Sequence, residues 1–286
     1  MKKIGFIGVG VMGKSMVRNL MKEGYEVSIY TRTKSKVEDV ISEGATWCDD
    51  VASCAANKDA VITIVGYPKD IEEVYFGEQG ILENANPGTY IIDMTTTSPE
   101  QAITIYNKAS EKNLHALDAP VSGGDNGART ATLSIMIGGD EAAYTTCLPL
   151  FEAMGKNIVY QGKAGAGQHT KMANQIAIAG TLAGVCEAIS YGNKMGLDTE
   201  KMLSSISQGA AGSWQMTNLA PRILKDDLAA GFYLKHFVKD MSLAMEEADK
   251  AGLKLDVLKT TLHNLKVLEA KGYGDLGTHA LIKYYQ

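Results

Sequence analysis

The sequence predicts an α/β half built on a parallel sheet, followed by an all-α half, with one long helix joining them. Three observations carry that reading. Short apolar strands alternate with helical patterns through the first half, glycine-rich turns punctuate the strand ends, and helix follows helix with no strand-like alternation after residue 194.

The chain has 286 residues, enough for one large domain or two ordinary ones. Its composition, 45% hydrophobic and 21% charged, is that of a soluble globular protein. A net charge of -5 offers no electrostatic footprint for nucleic acid or an anionic membrane surface. The opening Met-Lys-Lys resembles the start of a signal peptide, but Ile4 to Val11 is short, broken by glycines and lacks a cleavage site. Residues 172–186 are uncharged for nearly a bilayer length, yet their Asn, Gln, Thr and Gly content reads as a buried helix. Cys48, Cys54, Cys147 and Cys186 form no CxxC pair, and the five histidines form no HxH or HxxxH pair. That pattern argues against a metal centre and a disulfide framework and points to a reducing cytoplasm.

The first half opens with a strand, Lys3 to Ile7, then Gly8-Val9-Gly10-Val11-Met12-Gly13, a helical pattern to Gly24, and a second strand, Glu26 to Tyr30. Strand, GxGxxG, helix and strand in succession form the fingerprint of a Rossmann dinucleotide-binding domain. One glycine makes the tight turn, one admits the pyrophosphate, one lets helix and strand pack, and the helix N-terminus offers N–H groups to phosphate. After the second strand stands Thr31-Arg32-Thr33, with no acid before Glu38. A carboxylate there would hold the ribose hydroxyls of NAD. Arg32 instead suits the 2′-phosphate of NADP, a charge-assisted contact of roughly 1.5–3 kcal/mol. NADP is therefore the expected cofactor, with NAD as the alternative.

Two more buried-type strands follow, Ala60 to Val65 and Tyr90 to Met94. Ligands in such sheets lie beyond the carboxyl ends of the strands, which makes Val65, Pro68, Thr95 and Thr96 expected walls of the cofactor site. Ser98 before Pro99 reads as a helix cap. A strand near Leu114 to Leu117 leads into Asp118-Ala119-Pro120-Val121-Ser122-Gly123-Gly124. Its Ser-Gly-Gly end offers successive backbone N–H groups, a nest suited to a carboxylate. Asp125-Asn126-Gly127 reads as a tight turn, and Leu133 to Ile137 as a further strand.

Gly165 and Gly167 then precede an almost uncharged helical run to about Asn193. Lys171 is the only lysine or arginine between Lys163 and Lys194, and Asn174 and Gln175 share its helix face at i+3 and i+4. A lone ammonium among so many apolar residues is costly to desolvate, which marks Lys171 as a candidate proton donor. Asp198 reads as the cap of the next helix, and Trp214 and Phe232 read as pocket lining or, as is commoner for aromatic residues in a helical half, as core. Residues 1–163 are expected to form the cofactor domain and 164–286 the helical substrate and oligomerisation domain. The small-residue faces of the long helix, with Ala177, Gly180 and Gly184, suit close packing between subunits.

In order along the chain, Gly8 to Gly13, Asp118 to Gly124, Gly165 to Gln175 and Lys239-Asp240 together resemble the β-hydroxyacid dehydrogenase family. The resemblance runs from residue 1 to about 285. It implies a reductase of small carboxylated aldehydes or ketones, running reversibly as a hydroxyacid dehydrogenase on a nicotinamide dinucleotide. It further implies that Lys171 is the acid/base, that Ser122, Gly123 and Gly124 bind the substrate carboxylate, and that an amide one turn after the lysine contacts substrate. Lys239 would lie near the cofactor, supported by Asp240, and the protein would be a homodimer or homotetramer. Many members have Asn-Asn where this chain has Asn174-Gln175, which leaves both amides as candidates. Two alternatives remain: a non-catalytic NADP(H)-binding sensor or scaffold, and an imine reductase. A sensor or scaffold would be expected to have lost the lysine, and imine reductases generally replace it with another proton donor.

Overall fold

A computed structural model describes residues 1–286. It divides into two compact units, Met1–Lys171 and Met172–Gln286. The first unit carries nine strands, β1 (Lys3–Ile7), β2 (Glu26–Tyr30), β3 (Thr46–Trp47), β4 (Ala60–Thr63), β5 (Tyr90–Asp93), β6 (His115–Asp118), β7 (Val121–Ser122), β8 (Leu133–Gly139) and β9 (Gly155–Gly162). They form one sheet in the order β3-β2-β1-β4-β5-β6-β8-β7, with β9 pairing β8. The first six of that order run parallel, and β8 lies antiparallel to β6 and β7. The chain order reverses between β1 and β4, and a crevice at such a switch point is where a dinucleotide binds.

Eight helices belong to this unit: α1 (Val11–Lys22), α2 (Glu38–Ser42), α3 (Val51–Ala55), α4 (Pro68–Phe76), α5 (Ile81–Asn84), α6 (Pro99–Glu111), α7 (Gly124–Arg129) and α8 (Glu141–Met154). They leave a separate core on each side of the sheet, one around Phe6, Ile29, Ile62 and Phe151 and one around Ile7, Val61, Ile71 and Ile91. Alternate residues of β1 and β4 thus point to opposite cores, and this is why those strands read as apolar throughout. Ser98 caps α6 as expected, its hydroxyl accepting from Gln101 N at 3.1 Å.

Asp125-Asn126-Gly127 is not a tight turn but lies inside α7. Gly123, at φ +133°, turns the chain, and Gly127 and Ala128 are then buried, with Ala128 O accepting from Asn19 Nδ2 of α1 at 2.7 Å. This contact with a distant helix carries the turn residues on into helix.

Helix α9 (Ala166–Lys194) spans the junction of the two units, and α10 (Thr199–Ile206), α11 (Trp214–Asn218), α12 (Ala220–Leu224), α13 (Leu234–Lys250) and α14 (Asp256–Ala270) follow. Two 3-10 turns, Tyr273–Asp275 and Thr278–Tyr284, end the chain. Asp198 caps α10 by accepting from Lys201 N at 3.1 Å. Helix α9 is long and apolar enough to cross a membrane by length and composition. One side of it, however, places Met172, Ala179, Leu182, Val185 and Ile189 in the helical unit's core, which is the pattern of a core helix. Trp214, read from sequence as pocket lining or core, is 61% exposed at the start of α11. Its neighbours Gln215 and Met216 are the buried residues of that short helix.

Candidate active site

The glycine turn between β1 and α1 is set by close backbone approach. Gly8 has φ +98°, and a Cβ there would lie 2.1 Å from the Ile64 carbonyl oxygen. A Cβ on Gly13 would lie 2.3 Å from Gly8 O. Gly10 differs, because nothing stands within 4 Å of the place its Cβ would take. Val9 is buried beneath the turn, while Val11 is 52% exposed and Met12 half-buried. No side chain caps α1, so its first-turn N–H groups face an approach unobstructed at Gly10. This cradle fits the pyrophosphate of a dinucleotide.

Beyond β2, Thr31 is half-buried and Arg32 and Thr33 are exposed. Arg32 Nη1 lies 3.3 Å from Asp70 Oδ1. Asp70 is buried at the start of α4, where its other oxygen accepts from Tyr67 N at 3.0 Å. An acid thus does stand beside Arg32, contributed from 38 residues further along, which is why local sequence did not reveal it.

The carboxyl ends of β4, β5 and β6 meet the first turn of α9. Val65 N donates to Thr95 Oγ1 at 3.0 Å. Gln168 Nε2 donates to Thr95 O at 2.8 Å, and Gln168 Oε1 accepts from Thr97 N at 3.1 Å. The Asp118 carboxylate accepts from Gly165 N at 2.8 Å and Gln168 N at 2.9 Å, charge-assisted bonds at the positive end of α9. A Cβ on Gly167 would lie 2.4 Å from Met136 O, so this turn sits directly on the sheet. Lys171, one turn further along α9, is 6% exposed. Gly8, Val65, Thr95 and the start of the lysine helix therefore form one contiguous row. Pro68 and Thr96 are half-buried beside it.

Sequence reading missed the roles of Gln168 and Asp118 in this row. Asp118 opens the Asp-Ala-Pro-Val-Ser-Gly-Gly loop, and that was the available signal. It also missed Asp93, whose Oδ1 accepts from Thr63 Oγ1 at 2.9 Å and Thr95 N at 3.0 Å. Asp93 Oδ2 is buried without a hydrogen-bond partner, and burial pushes this carboxyl up to about 6.

Ser122 ends β7 opposite Ser134 and is half-buried. Gly123 and Gly124 follow at φ +133° and +60°, conformations that favour glycine. In the helical unit, Gln175 is 1% exposed and its amide is used at both ends. Its Nε2 donates to Asp240 Oδ2 at 2.6 Å, and its Oε1 accepts from Asn174 Nδ2 at 2.8 Å. Lys239 Nζ lies 2.9 Å from Asp240 Oδ1. Asn174, Gln175, Lys239 and Asp240 are thus one linked group. His169, two residues before Lys171, is exposed.

Comparison with known proteins follows the same two-part division. A family model described as the NAD binding domain of 6-phosphogluconate dehydrogenase matches residues 3–162. A second, described as NAD-binding of NADP-dependent 3-hydroxyisobutyrate dehydrogenase, matches residues 165–285. A probable 3-hydroxyisobutyrate dehydrogenase-like protein of Arabidopsis thaliana is 46% identical over 98% of this chain and 84% of its own. The chain belongs to the β-hydroxyacid dehydrogenase family.

An uncharacterized oxidoreductase of Bacillus subtilis is 52% identical over 99% of both chains. The solved 3-hydroxyisobutyrate dehydrogenase of Mycobacterium tuberculosis, determined with L-serine, superposes with a TM-score of 0.90 at 28% identity, covering 99% of this chain and 98% of its own. This β-hydroxyacid dehydrogenase is accordingly a nicotinamide-dinucleotide-dependent oxidoreductase acting on the hydroxyl group of a small hydroxyacid.

Proposed function

We propose that this enzyme is an NADP-dependent reductase of small carboxylated aldehydes and ketones, semialdehydes above all, that also oxidises the matching β-hydroxyacids. The observation that carries the reading is Lys171, an ammonium 6% exposed on a helix whose first turn is tied to the cofactor-side residue Thr95 through Gln168. A buried lysine held there suits proton transfer at a substrate oxygen. When bound, the dinucleotide supplies the hydride in reduction and takes it in oxidation. Lys171 delivers a proton to the forming alkoxide, or takes the hydroxyl proton in reverse. The Ser122-Gly123-Gly124 nest holds the substrate carboxylate and leaves the carbonyl end facing the lysine. Asn174 is the amide that reaches substrate, because Gln175 is engaged by Asp240 and by Asn174 itself.

Arg32, with its exposed guanidinium, supports NADP over NAD. Residues 1–163 serve as the cofactor domain and 164–286 as the substrate and oligomerisation domain of a cytoplasmic homodimer or homotetramer. The exposed small-residue positions Ala173, Ala177 and Gly184 on α9 support that assembly. Sedimentation velocity is expected to give at least twice the monomer mass of 30.6 kDa, and a monomer would end that part of the reading.

The deciding experiment follows oxidation of NADPH and NADH with succinic semialdehyde, glyoxylate, tartronate semialdehyde, methylmalonate semialdehyde and a cyclic imine. Turnover of one or more semialdehydes with NADPH favoured is expected. Turnover of the imine alone would point to an imine reductase, and binding of NADPH with no turnover of any compound would point to a sensor or scaffold.

A further inference from the structure

Arg32 and Asp70 stand 38 residues apart, and the fold sets the turn after β2 beside the start of α4. Arg32 Nη1 lies 3.3 Å from Asp70 Oδ1, long for a charge-assisted bond, whose usual length is about 2.7–2.9 Å. The pair is unequal: the arginine side chain is 73% exposed and the aspartate side chain 6%. Asp70 is fixed by the backbone around it. Its N–H donates to Tyr67 O at 2.9 Å, and its Oδ2 accepts from Tyr67 N at 3.0 Å. Pro68 opens the helix, and its carbonyl accepts from Gln101 Nε2 of α6 at 3.2 Å. Ile71 and Tyr75 of the same helix are fully buried. A solvated guanidinium therefore stands against a carboxylate that cannot move away.

Two effects of that carboxylate oppose one another at an anion site. It orders the arginine for an incoming anion, and it repels that anion. The first effect is small, because an exposed pair that meets at one long contact contributes little. The second is larger. A phosphate oxygen accepting from Arg32 Nη1 comes within about 6 Å of Asp70 Oδ1, two hydrogen-bond lengths away. A charge held in a protein wall is also screened less than one in free solvent. A 2′-phosphate carries nearly two negative charges, whereas a ribose hydroxyl carries none and can donate to a carboxylate. We infer that Asp70 is a specificity-determining residue for the adenosine end of the cofactor. It holds down the preference for NADP that Arg32 creates and keeps the site usable by NAD. The inference rests on the reading that Arg32 meets the 2′-phosphate of NADP.

The test measures the dissociation constants of oxidised NADP and NAD by isothermal titration calorimetry on the folded full-length protein, read as the ratio of Kd for NAD to Kd for NADP. Asp70→Asn keeps an oxygen for Tyr67 N and removes the charge. It is expected to raise the ratio by roughly threefold or more, through tighter binding of NADP. Arg32→Ala leaves the carboxylate unbalanced and is expected to bring the ratio below one. Without an effect of Asp70, that variant would bind the two dinucleotides equally. A smaller rise in Asp70→Asn, or none, would overturn the inference, as would a ratio of one or more in Arg32→Ala. The Arg32→Ala readout decides the matter even where Asp70→Asn fails to fold. An equal loss of both dinucleotides in Arg32→Ala would overturn the inference together with the reading beneath it. A loss confined to NADP in that variant, beside an unmoved ratio in Asp70→Asn, would overturn the inference alone.

Discussion

The proposed chemistry rests on one side chain, Lys171, and its replacement tests that role by separating catalysis from binding. Positioned proton transfer contributes about 10²–10⁴-fold to a rate. Lys171→Ala is expected to lose that much in kcat while the dissociation constant for NADPH changes little, as read by steady-state kinetics and fluorescence titration. Wild-type turnover in that variant would remove the lysine from the mechanism. Asp93 makes a second prediction, on stability. Its carboxyl is raised from 3.8 to about 6, so the folded state keeps its proton where the unfolded chain has released it. The stability it contributes is complete below about pH 4 and is lost as pH rises through 6, on the order of 3 kcal/mol for a fully buried group. Urea unfolding of wild type and Asp93→Asn across that window is expected to show the loss in wild type only. Parallel curves would refute it.

At the scale of elements, the decisive feature is how α9 begins. Gly165 and Gly167 bring its first turn against the sheet, and Asp118 accepts two of its otherwise unpaired N–H groups. The lysine is therefore positioned by a carboxylate more than fifty residues earlier in the chain. Asp118→Ala would strand both buried donors, and each hydrogen bond to a charged group is worth about 1.5–3 kcal/mol. A loss of about 3 kcal/mol or more in urea unfolding is expected, with kcat falling further than the cofactor affinity. An Asp118→Ala protein as stable as wild type would show that water replaces the carboxylate.

For the whole molecule, cofactor binding and folding are linked, since a ligand that binds only the native state raises its stability by about 2.7 kcal/mol at a hundred times its dissociation constant. NADP is expected to raise the melting temperature more than NAD at equal concentration. Arg32→Ala is expected to weaken NADP roughly ten- to a hundredfold, the equivalent of 1.5–3 kcal/mol, with NAD almost unchanged. An equal loss for both dinucleotides would assign Arg32 to adenine stacking instead of phosphate recognition.

Much of this was legible along the chain because it depends on local physics. The glycine turn, the apolar strands, the Ser98 and Asp198 caps and the long helix carrying Lys171 all follow from backbone freedom, periodicity or capping within a few residues. Segments without such signatures were missed. The two-residue strand β3 is too short for periodicity, and the turn-like Asp125 to Gly127 became helix through packing against α1. The pairings across the sheet were also hidden, among them Asp70 with Arg32, Gln168 with Thr95, and Asp118 with the start of α9. By itself the sequence determined the elements, the cofactor class and the placing of one lysine near the start of the long helix, because short-range sterics and hydrogen bonding write those into neighbouring residues. Only the tertiary structure decided which buried polar groups satisfy one another, because that depends on which strand ends the sheet order brings side by side.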